Sequence, residues 1–303
     1  MRRLAPLCLA LAAALLGCSS GSGPGTGGAP AGSPETPVTS GSTAAKPQVT
    51  FLDRLPIARY SYTADETAAI ESAQQVLTKR CLRTFGIAYE PPQREAETST
   101  SSDRRYGLSS ASEAARLGYH PDMGPLPAGP DLPEDALRVF YGNRGAEPGS
   151  AERVVYKGRE VPKNGCFGQS VAKLAEEYDS PAAAETARRI STQSYKDSLA
   201  EPPVKEAFRN WSACMRNSGF RYDSPLEPAN NKEFQREDIS KREKETARAD
   251  VRCKEKTDLL DIWFKAESAL QKAEIDKNSK SLQTLLTAHR NKTEAARRIV
   301  AEG

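Results

Sequence analysis

Apolar residues recur at helical spacing over most of the chain beyond residue 60. The clearest series has intervals of three or four residues and consists of Ile70, Ala73, Leu77, Cys81 and Phe85. Such intervals place apolar side chains on one face of an α-helix. Thr63-Ala-Asp-Glu66 has the spacing of a capping box, and Gly86 stands where a glycine ends helices. The pattern predicts a first helix that begins at Thr63 and ends at Gly86.

Later stretches repeat this pattern between residues that begin or end helices. The Ser, Pro and Gly residues at their boundaries predict helices over 110–118, 133–142, from Cys166 onward, 180–199 and 204–217. Residues 90–107 are polar and rich in Pro, Ser and Thr, which predicts a surface loop. After Pro228 there is no proline, and no glycine before Gly303. We therefore expect one or two long C-terminal helices, with a break at 276–279.

A different pattern occurs between residues 153 and 161. Arg153-Val-Val-Tyr156 and Arg159-Glu-Val161 flank Lys157-Gly158, which indicates a small β-hairpin. Together these patterns predict a mainly α fold, a helical domain with a small β-hairpin and long C-terminal helices.

The first residues have the composition of an export signal. Met1-Arg2-Arg3 is positive, and Leu4 to Leu16 is apolar apart from Pro6. A run of about a dozen residues fits the apolar region of a signal peptide, whereas a membrane-spanning helix needs about 20 residues. A transmembrane anchor is the alternative, and this length disfavours it.

Leu15-Leu16-Gly17-Cys18 resembles the lipobox of bacterial lipoproteins, with an aliphatic residue three positions before the cysteine and a small residue directly before it. Leu16 departs from the small or hydroxyl residue that is usual at its position. The resemblance implies a signal peptide over 1–17, a diacylglyceryl group on the Cys18 thiol, and a lipid anchor on the outer face of the cell membrane. An ordinary secretory signal followed by an incidental cysteine is the alternative.

The stretch after this cysteine predicts a tether. Residues 19–48 consist mostly of Gly, Ser, Pro, Thr and Ala, and such a composition cannot bury a core and behaves as a coil. We assign 18–48 to the lipidated cysteine and a disordered tether. Its root-mean-square reach is roughly 30 Å, which would lift the folded domain toward the cell wall.

The charge balance argues against a nucleic-acid partner. Removing residues 1–17 takes away two of the 43 basic residues, which leaves 41 against 40 acidic ones. Without a basic excess there is little to neutralise phosphates. A hydrophobic fraction of 38% and a mean hydropathy of −0.62 indicate a thin core.

Four cysteines remain once Cys8 leaves with the signal peptide and Cys18 carries lipid: Cys81, Cys166, Cys214 and Cys253. Outside the cytoplasm, four cysteines predict two disulfides. A zinc site is the alternative, but there is no C-x-x-C pair, and the only two histidines, His120 and His289, lie elsewhere. We expect no metal and no cofactor.

An internal repeat chooses among the three possible pairings. The residues that begin at Cys81 align without gaps on those that begin at Cys214, with the shared pattern C-[LM]-R-x-x-G-[IF]-x-Y-[ED]-x-P. Each copy is followed by one further cysteine. We therefore predict the disulfides Cys81–Cys166 and Cys214–Cys253.

The repeat also divides the folded part of the chain. We predict a first helical repeat unit over 49–200, with the loop and the hairpin as an insertion, and a second over 201–303 that contains the long C-terminal helices. The two disulfides complete the predicted fold class.

Three tyrosines and one histidine are the possible binding residues. Tyr89 and Tyr222 occupy the same place in the two repeat copies, each with an acidic neighbour, and could flank a ligand, although packing in the core is the interpretation that we favour. Tyr119 and His120 belong to Gly118-Tyr-His-Pro121, where a histidine stands beside an aromatic residue in a predicted loop.

No catalytic residue is predicted. The motifs G-x-S-x-G, H-E-x-x-H and G-x-G-x-x-G and a P-loop do not occur. Forty acidic residues supply carboxylate pairs by chance, and the sequence marks none of them. Serine–histidine chemistry would need His120 or His289, and we expect His289 to be solvated on a charged helix face.

These features together resemble a group of actinobacterial exported lipoproteins. The resemblance rests on the lipobox, the tether, the repeat, and three further motifs: Arg105-Tyr-Gly107, Gly118-Tyr-His-Pro121 and Tyr156-Lys-Gly-Arg followed by Pro162-Lys-Asn-Gly-Cys166. It covers most of residues 60–265. It implies a compartment and an architecture, and no activity comes with it.

We therefore expect a membrane-anchored envelope lipoprotein that serves as a non-catalytic binding or scaffold protein in the cell-wall zone. Its expected partner is an envelope protein or peptidoglycan. A cell-wall-modifying hydrolase is one alternative. An accessory binding component of a membrane transporter is another, although the alternating β/α pattern of such proteins is missing.

Overall fold

The computed structural model describes residues 50–92, 103–124, 128–143 and 153–303. The predicted signal peptide, Cys18 and the tether lie outside these residues. The described residues form ten α-helices and one two-stranded antiparallel sheet, which confirms the predicted fold class. The elements in chain order are α1 (Phe51–Arg54), α2 (Ala64–Thr84), α3 (Ala111–Leu117), α4 (Glu134–Tyr141), β1 (Val155–Tyr156), β2 (Arg159–Glu160), α5 (Gly165–Tyr178), α6 (Pro181–Ser198), α7 (Pro202–Asn217), α8 (Lys241–Lys256), α9 (Leu259–Lys277) and α10 (Ser279–Ala301).

Capping chemistry fixes where α2 begins, as the sequence predicts. The Glu66 N–H donates to the Thr63 hydroxyl at 3.3 Å, and the Thr63 N–H donates to the Glu66 carboxylate at 2.8 Å. This reciprocal pair satisfies two backbone donors that a helix start leaves open. In the described part of the chain, every helix is too short or too polar to span a bilayer.

Both copies of the repeat form the end of a helix. In each copy the glycine takes a positive φ, +73° at Gly86 and +88° at Gly219. The residue after each glycine donates its N–H to a carbonyl five residues earlier, at 3.1 and 2.9 Å respectively. This is the Schellman arrangement of a helix C-terminus. An added Cβ would meet nothing within 4 Å at either glycine, so the backbone conformation alone requires glycine there.

Both predicted disulfides, Cys81–Cys166 and Cys214–Cys253, are formed. Each of them joins the last turns of the helix that ends in the repeat, α2 or α7, to a later helix, α5 or α8. The repeat is thus a helix end that is capped by glycine and fastened by a disulfide.

The described residues, from 50 onward, belong to one compact unit. Helix α10 lies against α2, α5 and α6, while α9 lies against α6 and α7 and α8 contacts α3, α7 and α9. The largest fully buried side chains are those of Trp211 on α7 and Trp263 on α9.

Two helix boundaries differ from the prediction. The break predicted at 276–279 is confirmed, but a second break at Thr257–Asp258 makes three C-terminal helices rather than one or two. Asp258 has a φ of +49° at this turn. Asp tolerates this conformation better than most residues other than glycine. Pro202 and Pro203 form the first turn of α7 and do not precede it, because a proline at a helix start removes no intrahelical hydrogen bond.

The predicted surface loop over 90–107 is wrong at its end. Residues 93–102 lie outside the described residues, but Tyr106 is 1% exposed. Its ring centroid lies 5.4 Å from that of Phe51 and 4.9 Å from that of Trp263. The polar composition of the loop concealed one aromatic residue that reaches the core.

Candidate functional site

Two sequence motifs lie on either side of α3 and reach buried charges on α8 and α9. Arg105-Tyr-Gly107 precedes α3, and Gly118-Tyr-His-Pro121 follows it. Three carboxylates from α8 and α9 are fully buried, those of Glu243, Asp250 and Glu267. A buried carboxylate destabilises a fold unless hydrogen bonds or an ion pair compensate the loss of water. The two motifs supply much of that compensation.

Asp250 is held by three different side chains. The Lys254 ammonium lies 3.1 Å from its Oδ2, the Trp211 indole N–H donates to Oδ1 at 2.9 Å, and the Tyr119 hydroxyl donates to Oδ2 at 3.3 Å. Lys254 is 1% exposed and makes a second bond, at 2.9 Å, to the carbonyl of Leu108. Burial raises the pKa of the Asp250 carboxyl, and the Lys254 charge opposes that rise.

Glu243 joins α8 to the second motif. Its Oε1 accepts the Tyr119 N–H at 2.8 Å and lies 3.0 Å from the His120 Nδ1. The His120 Nε2 lies 2.8 Å from the Arg236 carbonyl, and because a carbonyl only accepts, Nε2 carries a hydrogen. Both ring nitrogens of His120 are therefore engaged. The predicted loop at Gly118-Tyr-His-Pro121 thus holds His120 between α8 and the backbone at Arg236.

One oxygen of this site has no hydrogen-bond partner. The second carboxylate oxygen of Glu243, Oε2, is buried and unpaired within the described part of the chain. The Tyr119 ring stacks on Phe234, with centroids 5.7 Å apart. Burial, together with the charge of Asp250, raises the pKa of the Tyr119 hydroxyl. Tyr119 is therefore a neutral donor that supports the carboxylates.

Gly118 allows the backbone to pass close to the Glu243 side chain. Its φ and ψ are +58° and −124°, and an added Cβ would lie 2.4 Å from the Glu243 Oε1. We predict that Gly118→Ala lowers the free energy of unfolding by about 3 kcal/mol, because backbone strain and overpacking act together. Gly86→Ala is the matched control: it adds only the left-handed strain, about 1 kcal/mol. Urea unfolding of both variants measures the difference. Equal losses in the free energy of unfolding would contradict a close contact between Gly118 and Glu243.

Glu267 on α9 is the centre of a second network. Its carboxylate accepts hydrogen bonds from Arg105, from the Tyr106 hydroxyl at 2.8 Å, from the Ser194 hydroxyl at 3.2 Å and from the Gln271 amide at 2.9 Å. Arg105 also donates to the Ser191 carbonyl at 2.7 Å. Both oxygens of this buried carboxylate are satisfied, so Arg105-Tyr106 ties the segment before α3 to α6 and α9.

Tyr89 and Tyr222 do not come together. Tyr89 is 8% exposed and packs on Phe140, with ring centroids 5.3 Å apart, in the cluster between α2, α4 and α5. Tyr222 is half-buried in the separate cluster around Trp211, and its carbonyl accepts the Ser212 hydroxyl at 2.6 Å. Burial raises the pKa of the Tyr89 hydroxyl. Each of these two tyrosines therefore packs in its own apolar cluster.

His289 is not solvated on a charged face, as the sequence suggested. It is half-buried, and its ring stacks on that of Tyr62 with centroids 3.8 Å apart. Burial lowers the pKa of His289, while Glu66 and Asp179 raise it and Lys292 lowers it. Burial and the same two carboxylates raise the pKa of Tyr62 to about 12.

A lowered histidine pKa makes the fold sensitive to mild acid. The unfolded chain takes up the proton first, at the ordinary value of 6.5, so stability is present above that value and is lost as the pH falls toward the folded-state pKa. We expect the melting temperature to drop between pH 7 and 5.5, and His289→Gln to remove part of this drop. The prediction would be contradicted if the melting temperature of His289→Gln fell as much over this pH range as that of the wild type.

Sequence reasoning missed the buried charges, although a signal was present. Glu243, Ala247, Asp250 and Lys254 follow one another at intervals of four, three and four, which is the periodicity of one helix face. An acidic residue and a lysine four positions later, both on an otherwise apolar face, indicate a buried pair. Arg105 and Glu267 carried no comparable local signal, because 162 positions separate these two partners.

The chain matches no protein-family model, no curated protein and no solved structure. Within the four described ranges, no group of three or more His, Cys, Asp and Glu residues could hold a metal ion.

Proposed function

We propose that this chain is an extracytoplasmic lipoprotein whose helical domain serves as a non-catalytic binding or scaffold protein at the cell surface. Leu15-Leu16-Gly17-Cys18 carries the proposal, because lipid attachment of this kind requires a cysteine thiol directly after a cleavable apolar segment. The two disulfides support it, since disulfides persist outside the reducing cytoplasm.

The contacts of the buried charges favour binding over catalysis. A general base must have a nitrogen or oxygen free to take a proton from the reacting group. His120 forms the only described histidine–carboxylate pair at hydrogen-bond distance, and both of its ring nitrogens are engaged. Asp250 and Glu267 accept hydrogen bonds from fixed donors, and the unpaired Oε2 of Glu243 is buried away from any substrate that could reach the surface. These residues therefore stabilise the fold, and a hydrolase stays the less supported alternative.

Mass spectrometry of the mature protein tests the anchor. We expect the N-terminal peptide to begin at Cys18 and to carry a diacylglyceryl group. A mature chain that begins at another residue without lipid would overturn the proposal and would favour an ordinary secretory signal.

Incubation of the purified domain with peptidoglycan tests the catalytic alternative. We expect binding or no effect, and no release of soluble fragments. Release that His120→Gln abolishes, with the fold intact by circular dichroism, would establish the hydrolase in its place.

A further inference from the structure

The charges of α8 are divided unequally between the core and the surface. Its sixteen residues include seven basic and four acidic ones. The core takes up two of the acids, Glu243 and Asp250, and only one of the bases, Lys254. Six bases and two acids, Glu245 and Glu255, therefore remain on the surface of the helix. A chain that is almost neutral overall thus has a helix whose exposed side carries a net charge of about +4.

Four of these bases lie in a line along the helix and form what we name the α8 basic face: Lys241, Lys244, Arg248 and Arg252. Their spacing of three, four and four residues places them on one side of the helix. Lys241, Lys244 and Arg248 line a shallow groove of about 370 Å³ together with Ile239 and Glu245. Glu245 lies 3.8 Å from the Lys241 ammonium. Lys244, Arg248 and Arg252 make no ion pair within the part of the chain that the structure describes.

We infer that the α8 basic face binds the anionic headgroups of the membrane to which the chain is anchored. This inference rests on the proposed function, because the lipid on Cys18 and the predicted tether would hold the domain within roughly 30 Å of the bilayer. A tethered surface meets its target at a high effective concentration, so weak contacts suffice. Each basic residue at an anionic membrane contributes about fivefold to binding.

The shape of the face favours a membrane over a separate anionic polymer. A helix of sixteen residues is about 24 Å long, and the four bases are spaced along it from Lys241 to Arg252, so several headgroups of one membrane surface can contact them at once. Ile239 at the edge of the groove adds an apolar side chain at the depth of the headgroups. Headgroup contact would hold α8 toward the bilayer and leave the opposite side of the domain facing the wall zone.

Vesicle sedimentation with residues 44–303 tests this inference. This fragment is one compact unit with its own core and both disulfides, and it lacks Cys18. We expect it to bind phosphatidylglycerol vesicles, to release them at high salt, and to ignore phosphatidylcholine vesicles. Lys244→Gln/Arg248→Gln/Arg252→Gln should weaken the binding about a hundredfold.

A triple variant on α6, Arg188→Gln/Arg189→Gln/Lys196→Gln, is the matched control. It removes the same charge from another exposed helix and should change the binding less than about threefold. If the two triple variants lost equal amounts of vesicle binding, net charge alone would explain the binding and the inference would be overturned. Equal binding to phosphatidylglycerol and phosphatidylcholine vesicles would also overturn it. Binding to soluble polyphosphate without binding to vesicles would overturn it in favour of a polymer. Because the fragment has no lipid, each of these outcomes is independent of whether Cys18 is acylated.

Discussion

Replacing Lys254 with methionine is expected to lower the free energy of unfolding by about 3–5 kcal/mol. The change leaves the Asp250 carboxylate at 0% exposure without its ion-pair partner, and it leaves the Leu108 carbonyl without its donor. Breaking a buried ion pair from one side destabilises more than the pair itself stabilises, because the remaining charge has no water around it. Equilibrium unfolding in urea at pH 7 measures the loss.

Lys256→Met is the control, since it alters an exposed lysine at the end of the same helix and should change stability by less than about 0.5 kcal/mol. The double variant Asp250→Asn/Lys254→Met should recover much of the loss, because asparagine can still accept the Trp211 N–H while no charge remains buried. If the free energy of unfolding of Lys254→Met lay within 1 kcal/mol of the wild-type value, the Asp250–Lys254 pair would be hydrated and not buried.

Removal of either disulfide should cost about 4 kcal/mol. The bridge Cys81–Cys166 closes a loop of 85 residues and Cys214–Cys253 one of 39. The loss of loop-closure entropy in the unfolded chain rises only slowly with loop length, so the double alanine variant of each pair should lose a similar amount. For a domain with a thin core, this is a large fraction of the total stability.

Thermal unfolding with and without reductant provides the control for the disulfides. Reduction should lower the melting temperature of the wild type strongly, and that of each double alanine variant by a smaller amount, because only one bridge remains in it. If a double variant had the same melting temperature as the wild type, its missing bridge would close a loop that is already ordered in the unfolded chain.

Several features governed by short stretches of sequence were predicted correctly. Thr63 and Glu66 lie three residues apart and cap each other, so the start of α2 could be read locally. Gly86 and Gly219 end their helices for a local backbone reason. The cysteine pairing followed from the repeat, because two copies of one sequence form the same helix end and each has one later cysteine available.

Features governed by distant contacts could not be predicted. Glu267 and Arg105 are 162 positions apart, and nothing in either neighbourhood marks them as partners. The core position of Asp250 is a different case: its spacing to Ala247 and Lys254 marked one helix face, but the signal was missed because most charges of α8 are exposed. The turn at Asp258 was missed for a local reason, because aspartate enters the left-handed region much less often than glycine.

Together, these contacts assign structural tasks to most of the motifs that the sequence singles out. Arg105-Tyr106 secures Glu267, Gly118-Tyr119-His120 secures Glu243 and Asp250, and the repeated motif secures the ends of α2 and α7. The proposed binding role therefore rests on other parts of the described surface, such as the α8 basic face.

Detergent phase partitioning of the full-length chain and its Cys18→Ala variant in the producing bacterium tests the proposed anchor most directly. The account predicts that the wild-type protein enters the detergent phase, and that the variant moves to the aqueous phase or keeps its uncleaved leader. A correctly cleaved variant that stays as firmly in the detergent phase as the wild type would contradict lipid attachment at Cys18.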